Sequence, residues 1–436
     1  MKISLFQGVL LGIFGLGAII GLFVFATYTS SGGSSSAIGS VVIWGTLPAD
    51  NMNVALTEIT KIDASLKGVT YVQKDSATIQ SELTSAIAVG SPPDLVLISQ
   101  EHIIPLAKFL SPIPLSTLSV RTFTSAFTNE SQLFTAPNGA GYYGVPFLVD
   151  PLVLFTNKTI LASDGIATPP STWEALTGLV PSVAQLSSSQ KIIRGLIALG
   201  TYTNVHNARA ILSALFQQTG VPVSTVSANS LYSVDLGISS GGGVPPGQAV
   251  LRFYTQFADS SKVSYTWNSS LPDSQSAFLA GDLALYLGFA SESRFLRQAN
   301  PNLDFDMAPL PQPATANLKS TYGLVYAFAI PRGAVNSTGG YEAAVLLSNS
   351  TEQAIASAAT GLAPASLAVL GQASPSDPFA AVAYQSALYA QGWLSPSPFD
   401  TDKVFSGMIT DVNSGRLTLD SALAYAERAL AALLQQ

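Results

Sequence analysis

Two histidines, His102 and His206, stand more than a hundred residues apart in a chain of 436 residues. A metal centre or a histidine-based triad needs such groups to converge on carboxylates supplied from elsewhere. The chain has no cysteine, so thiolate chemistry, disulfides and cysteine-linked lipid are excluded. Gly237-Ile-Ser239-Ser-Gly241 fits G-x-S-x-G, but glycines and prolines follow it where a nucleophile elbow requires a helix. It therefore reads as a loop. No G-x-x-x-x-G-K-[ST] occurs, which removes the P-loop NTPases. Asp304 and Asp306 alternate as in a strand with one solvated face. A glycosidase pair assembled from distant acids carries no local spacing signal, so a surface glycoside-active enzyme stands as the alternative function. The sequence offers no catalytic residue, cofactor or metal ligand, and a non-enzymatic protein is expected.

Two other features carry chemistry. Asp150 lies in the apolar run "YYGVPFLVDPLVLFTNKT" (142–159), directly before Pro151, with no lysine or arginine until Lys158. A carboxylate is costly to bury in such a strand without a partner. Aromatic residues also gather at the ends of predicted elements: Trp44, Tyr142, Tyr143, Trp267, Phe289, Tyr322 and Trp393. Aromatic faces with a few acceptors suit neutral, hydroxyl-rich ligands, because sugar C–H faces stack on rings while hydroxyls need hydrogen-bond partners. Trp44 is placed best, since it ends a strand immediately before Gly45, and ligands bind at the carboxyl ends of strands in open α/β sheets.

The elements that must position these groups alternate. "SVVIWG", "GVTYVQK" and "DLVLIS" read as strands; "ADNMNVALTEITKIDASL" has helical spacing, with Val54, Ile59, Ile62 and Leu66 on one face. A second helix follows to about Gly90. The β-α-β-α-β order implies a parallel sheet with helices on both faces. Ser171 and Glu174 have capping-box spacing, and Ser350 and Gln353 open a helix that stops at Gly361. The C-terminal helix places Leu423, Ala426, Ala429, Leu430 and Leu433 inward.

Hydrophobic residues make up 47% and charged residues 10% of the chain, with net charge −7. A large core is available, and scattered basic residues exclude a nucleic-acid partner. At the N-terminus, Leu5–Tyr28 is an apolar run that would extend ~36 Å as a helix, enough to span a membrane of ~30 Å. Lys2 and the α-amine favour a cytoplasmic N-terminus, so a single-pass cell-membrane anchor with an extracellular binding domain is expected. A cleaved signal peptide is the alternative; its apolar core would be unusually long, and no A-x-A site follows. Residues 29–40 have the composition of a flexible Ser/Gly linker.

In order along the chain, "VVIWG", "YYGVPFLVDPLVLFTNKTILASDGIATPPSTWEAL", "SAFLAGDLALYLGFASESRF" with "FDMAPLPQP", and "YGLVYAFAIPRG" with the C-terminal helices resemble extracellular solute-binding proteins of ABC importers. The similarity is to family 1, the maltose-binding-protein-like carbohydrate group. Phe155 and Leu285 stand where that family usually has tyrosine and methionine. The resemblance implies an α/β, two-lobed periplasmic-binding-protein fold (type II, Venus-flytrap) with crossover hinges, and the apolar run at Leu5–Tyr28 puts one N-terminal transmembrane helix before it. It implies lobe I at 41–149 plus 328–373 and lobe II at 151–323 plus 375–436. Ligand-binding positions carried over are Trp44, Asp150 and Phe289; Tyr142, Trp267 and Trp393 are added from their placement. The implied partners are a carbohydrate-like small molecule, ABC permease subunits and the membrane. A sensory or adhesive module that retains the fold is a further alternative. The shortage of Arg and His near the expected cleft argues against anionic ligands and metals.

Overall fold

The computed structural model describes residues 38–227, 231–239, 242–372 and 375–435. Strands β1 (Val41–Gly45), β2 (Val69–Gln73) and β3 (Leu95–Ser99) alternate with helices α1 (Ala49–Ile62) and α2 (Ile79–Ala88). β1 pairs in parallel with both β2 and β3, as the alternating order predicts. All five residues of β3 are buried, consistent with its unbroken apolar run between two covered faces. α1 buries Met52, Ala55, Leu56 and Ile59, whereas Val54 and Ile62 face solvent. Only Ile59 of the predicted helical stripe is correct; Leu66 is buried, but in the 3₁₀ turn that follows.

After three two-residue strands comes the long strand β4 (Val145–Asn157), 13 residues and buried throughout. After it come β5 (Ile192–Ile197), α3 (Ala208–Gln218), β6 (Leu283–Phe289), α4 (Glu292–Ala299), β7 (Phe305–Pro309) and β8 (Thr321–Pro331). The sheet order β2-β1-β3-β8-β4-β6-β5 joins two lobes through two long strands. The first part of β4 pairs with β8, which also pairs with β3, while Leu152–Thr156 pair with β6 and Val153–Asn157 with β7. Asp150 and Pro151 sit at the change-over, opposite Leu324 and Gly323. α5 (Ser337–Leu347) and α6 (Ser350–Thr360) return to the first lobe, where α5 packs on β1 and β3; α7 (Pro398–Asn413) and α8 (Leu419–Leu434) pack together on the second.

The helix opening at "STWEAL" is capped by Thr172, whose hydroxyl accepts from the Ala175 N–H, and not by Ser171. Glu174 accepts instead from the Ala314 N–H. Gly361 does end α6 in the left-handed conformation (φ 83°), which only glycine adopts without steric cost. α8 buries Leu423, Ala426, Leu430 and Leu434.

The expected transmembrane helix at Leu5–Tyr28 lies outside the described residues. Among the described residues no helix is long and apolar enough to cross a membrane. The longest, α7 and α8, have 16 residues each, extending ~24 Å, and each is amphipathic with one face packed. Among the described residues the fold is the two-lobed α/β architecture alone. None of them supports the single-pass topology, membrane anchor or membrane partner expected with that helix. Of the linker, the described end is held in place: Ile38 is buried, and its carbonyl and that of Ser40 accept from Asn336 Nδ2.

Candidate functional site

Where β3 ends, the chain turns through Gln100, Glu101 and His102, all buried. Gln100 bridges to the crossover strand, its Nε2 donating to the Gly323 carbonyl and its Oε1 accepting from the Val325 N–H. That pair of bonds holds Glu101 at the edge of a cleft of about 590 Å³ between the lobes. The first lobe contributes Glu101; β8 contributes Tyr322 and Leu324. Facing them are Phe289 at the end of β6, Tyr202 to Ala210 after β5, and Asp402 to Ser406 on α7.

Charge is concentrated in this cleft. Arg209 Nη2 lies 3.0 Å from Glu101 Oε2, an ion pair joining the two lobes across 108 residues of sequence. The Tyr322 hydroxyl donates to Glu101 Oε1 at 2.6 Å. Arg209 Nη1 is 3.7 Å from Asp402 Oδ2, and the Tyr202 hydroxyl donates to Asp402 Oδ1. Burial works against the charged guanidinium, but Glu101 and Asp402 outweigh it and raise the Arg209 pKa further. Burial, reinforced by Glu101, keeps the Tyr322 phenol neutral. Arg209 Nη1 is nevertheless buried with no hydrogen-bond partner, so the cleft retains an unused donor.

Of the six ligand-binding positions expected from the sequence, the structure places only Phe289 in this cleft, its ring 6.4 Å from that of Tyr322, which the aromatic pattern had also singled out. Asp150 lies beneath it, 4% exposed, accepting from the Ser291 N–H at 3.0 Å and the Ser291 hydroxyl at 2.6 Å. Burial raises its carboxyl to about 7, against those two hydrogen bonds. Asp150 thereby fixes the turn after β6, together with Glu292, which accepts from the Phe289 N–H. Trp44 is half-buried on lobe I, and one ring face is taken by the Lys74 ammonium at 3.9 Å. Tyr142 is buried and stacked on Phe123 at 3.7 Å. Trp267 is buried in the second lobe. Trp393 is buried there too, its indole donating to Ser213 Oγ at 2.9 Å. Five of the six expected ligand-binding residues thus lie outside the cleft.

Glu101, Tyr202, Arg209 and Asp402 escaped the sequence reading. For Glu101 a signal existed: it follows a fully apolar strand at its carboxyl end, the position from which Trp44 was chosen. The expected shortage of basic groups is also corrected, because Arg209, His206 and Lys403 line the cleft. His206 Nδ1 faces Asp273 Oδ2 at 3.7 Å. Among the described residues no cluster of His, Cys, Asp or Glu could hold a metal ion.

Two lobes are joined by paired crossover strands, with a polar cleft between them. Residues 66–382 match the family described as bacterial extracellular solute-binding protein, and the chain belongs to that family. Its members are binding proteins and not enzymes, so the site is non-catalytic. Among solved structures, the chain is similar to the GacH receptor of Streptomyces glaucescens, described unliganded and with acarbose. The identity is 17% over 91% of this chain and 99% of that one, with TM-score 0.68. The cyclic α-maltosyl-1,6-maltose binding protein of Arthrobacter globiformis gives 16% over the same shares, with TM-score 0.71. An ABC transporter solute-binding protein of Thermotoga lettingae, bound with α-D-tagatose, gives 18% over 91% and 100%, with TM-score 0.69. No curated protein sequence matches the chain.

Proposed function

We propose that the protein is the extracellular receptor of an ABC importer and delivers a sugar or oligosaccharide by closing its lobes around it. The observation that carries the reading is the cleft itself. Phe289 offers a ring, Tyr202 and Tyr322 offer hydroxyls, and Glu101, Asp402 and Arg209 offer acceptors and donors from both lobes. Hydroxyl-rich ligands need that combination. The three structural relatives, described with or named for saccharides, support it. Ligand that touches both lobes binds the closed form better than the open one, which shifts the population toward closure.

On this reading the ligand-binding residues are Phe289, Tyr322, Tyr202, Glu101 and Arg209, with Asp150 positioning Phe289 from below. On the same reading the lobes are 41–149 plus 328–373 and 151–323 plus 375–436. Native mass spectrometry of the protein from its own cells, and after refolding in a saccharide mixture, tests the function. A bound saccharide supports it; repeated retention of a non-carbohydrate, with no saccharide taken up on refolding, refutes it.

A further inference from the structure

The crossover strand β8 has two faces, because successive side chains of a strand alternate. Tyr322 and Leu324 line the cleft. Gly323 between them turns the other way, and a Cβ there would lie 2.8 Å from Glu130 Oε2. On that far side a second groove, of about 680 Å³, opens between the lobes. Its walls are residues 129–139 of the first lobe, Val226, Ser227 and Tyr232 of a hairpin on the second, and residues 390–394.

Glu130 belongs to this groove and is 5% exposed, with both carboxyl oxygens buried and without a hydrogen-bond partner. Gly392 covers it, a Cβ there falling 2.8 Å from Oε1. Gln100 Nε2 approaches the same point but donates to the Gly323 carbonyl. Among the described lining residues Glu130 is the only charged group and Tyr232 the only other titratable one. A buried carboxyl without a donor costs free energy that a bound donor would recover. The groove is much larger than a metal ion needs, and no second acid lines it. Asn129, Gln132 and Gln391 add amide acceptors.

We propose that this groove is a second ligand site, behind the crossover strands, that takes a small organic cation whose ammonium N–H groups bond Glu130. Both lobes wall the groove, and Gly323 of β8 backs the Glu130 carboxyl while its neighbours Tyr322 and Leu324 line the cleft, so occupancy of the groove acts on lobe closure.

The groups around the carboxyl are Tyr322 of β8 with Glu101 behind it, Gln100 after β3, Gly392 of the second lobe, and Tyr232 across the groove. Burial lifts the Glu130 carboxyl to about 8, so at pH 7 cation binding displaces a proton. Isothermal titration of the full chain with ethanolammonium chloride at pH 7, in two buffers of different ionisation heat, tests the site. The expected result is saturable binding at about millimolar Kd or tighter, with release of close to one proton. Glu130→Gln should weaken it at least about tenfold, and tetramethylammonium, which has no N–H, should not bind. Absence of saturable binding, or equal binding by Glu130→Gln, would each overturn the proposal. If Glu130→Gln does not fold, proton release and the tetramethylammonium comparison decide it, and binding without proton release counts against it.

Discussion

Asp150 and Glu130 are buried acids that no cation neutralises, and burial raises them to about 7 and about 8. Both therefore hold protons in the folded chain that the unfolded chain gives up at its ordinary carboxyl pKa. Their neutral forms fit the fold without penalty below about pH 4; the penalty grows as pH rises and is complete above about pH 8. Asp150→Asn removes one such term and keeps the contact, with Ser291 Oγ able to accept from the new amide. Urea unfolding should show the variant gaining on the wild type by a few kcal/mol between pH 5 and pH 8.5, roughly 1.4 kcal/mol for each unit of pKa shift. A constant difference across that range would mean that the carboxyl is already ionised in the fold. The Glu101–Arg209 pair is of another kind. Removing one partner strands the other, so Arg209→Met should destabilise the folded chain by about 3–5 kcal/mol, measured by denaturant unfolding. The double variant with Glu101→Gln should recover part of that loss.

Elements were legible where a pattern is local. The run LVLIS identified β3 as a strand covered on both sides, and Gly361 marked a helix end that the structure bears out. Helix α1 was harder, because Val54 and Ile62 are apolar yet exposed, while Met52 and Ala55 carry the buried stripe. Adjacent hydroxyls defeated the capping assignment: Ser171 has the right spacing to Glu174, but Thr172 has the extended backbone that an N-cap needs. Thr172→Ala should cost about 1 kcal/mol in thermal unfolding, and Ser171→Ala much less. The tryptophans could not be sorted from sequence at all. Trp393 is fixed by Ser213, 180 residues away, and residue type alone does not separate a core ring from a cleft ring. On β8, Gly323 is required by packing: Gly323→Ala would press its methyl on Glu130 and on Ala390 Cβ at 2.9 Å. It should lower stability by about 1–3 kcal/mol, read as a drop in Tm.

At the scale of the whole molecule, two lobes share β4 and β8, and the cleft is assembled from segments that no sequence window contains. Arg209 meets Glu101 only because the second lobe folds back over the first. The family resemblance anticipated the architecture; the chemistry of the cleft, richer in charge and poorer in tryptophan than expected, emerged only from the fold. Bound ligand stabilises the native state by mass action, so a saccharide at about a hundred times its Kd should raise stability by about 2.7 kcal/mol. The most direct test of the account is calorimetric titration of a saccharide, chosen by a thermal-shift panel, into wild type, Phe289→Ala and Trp393→Phe. Saturable binding that falls about tenfold in Phe289→Ala and holds in Trp393→Phe is the predicted result. Binding indifferent to Phe289, or no binding by any saccharide in the panel, would contradict it.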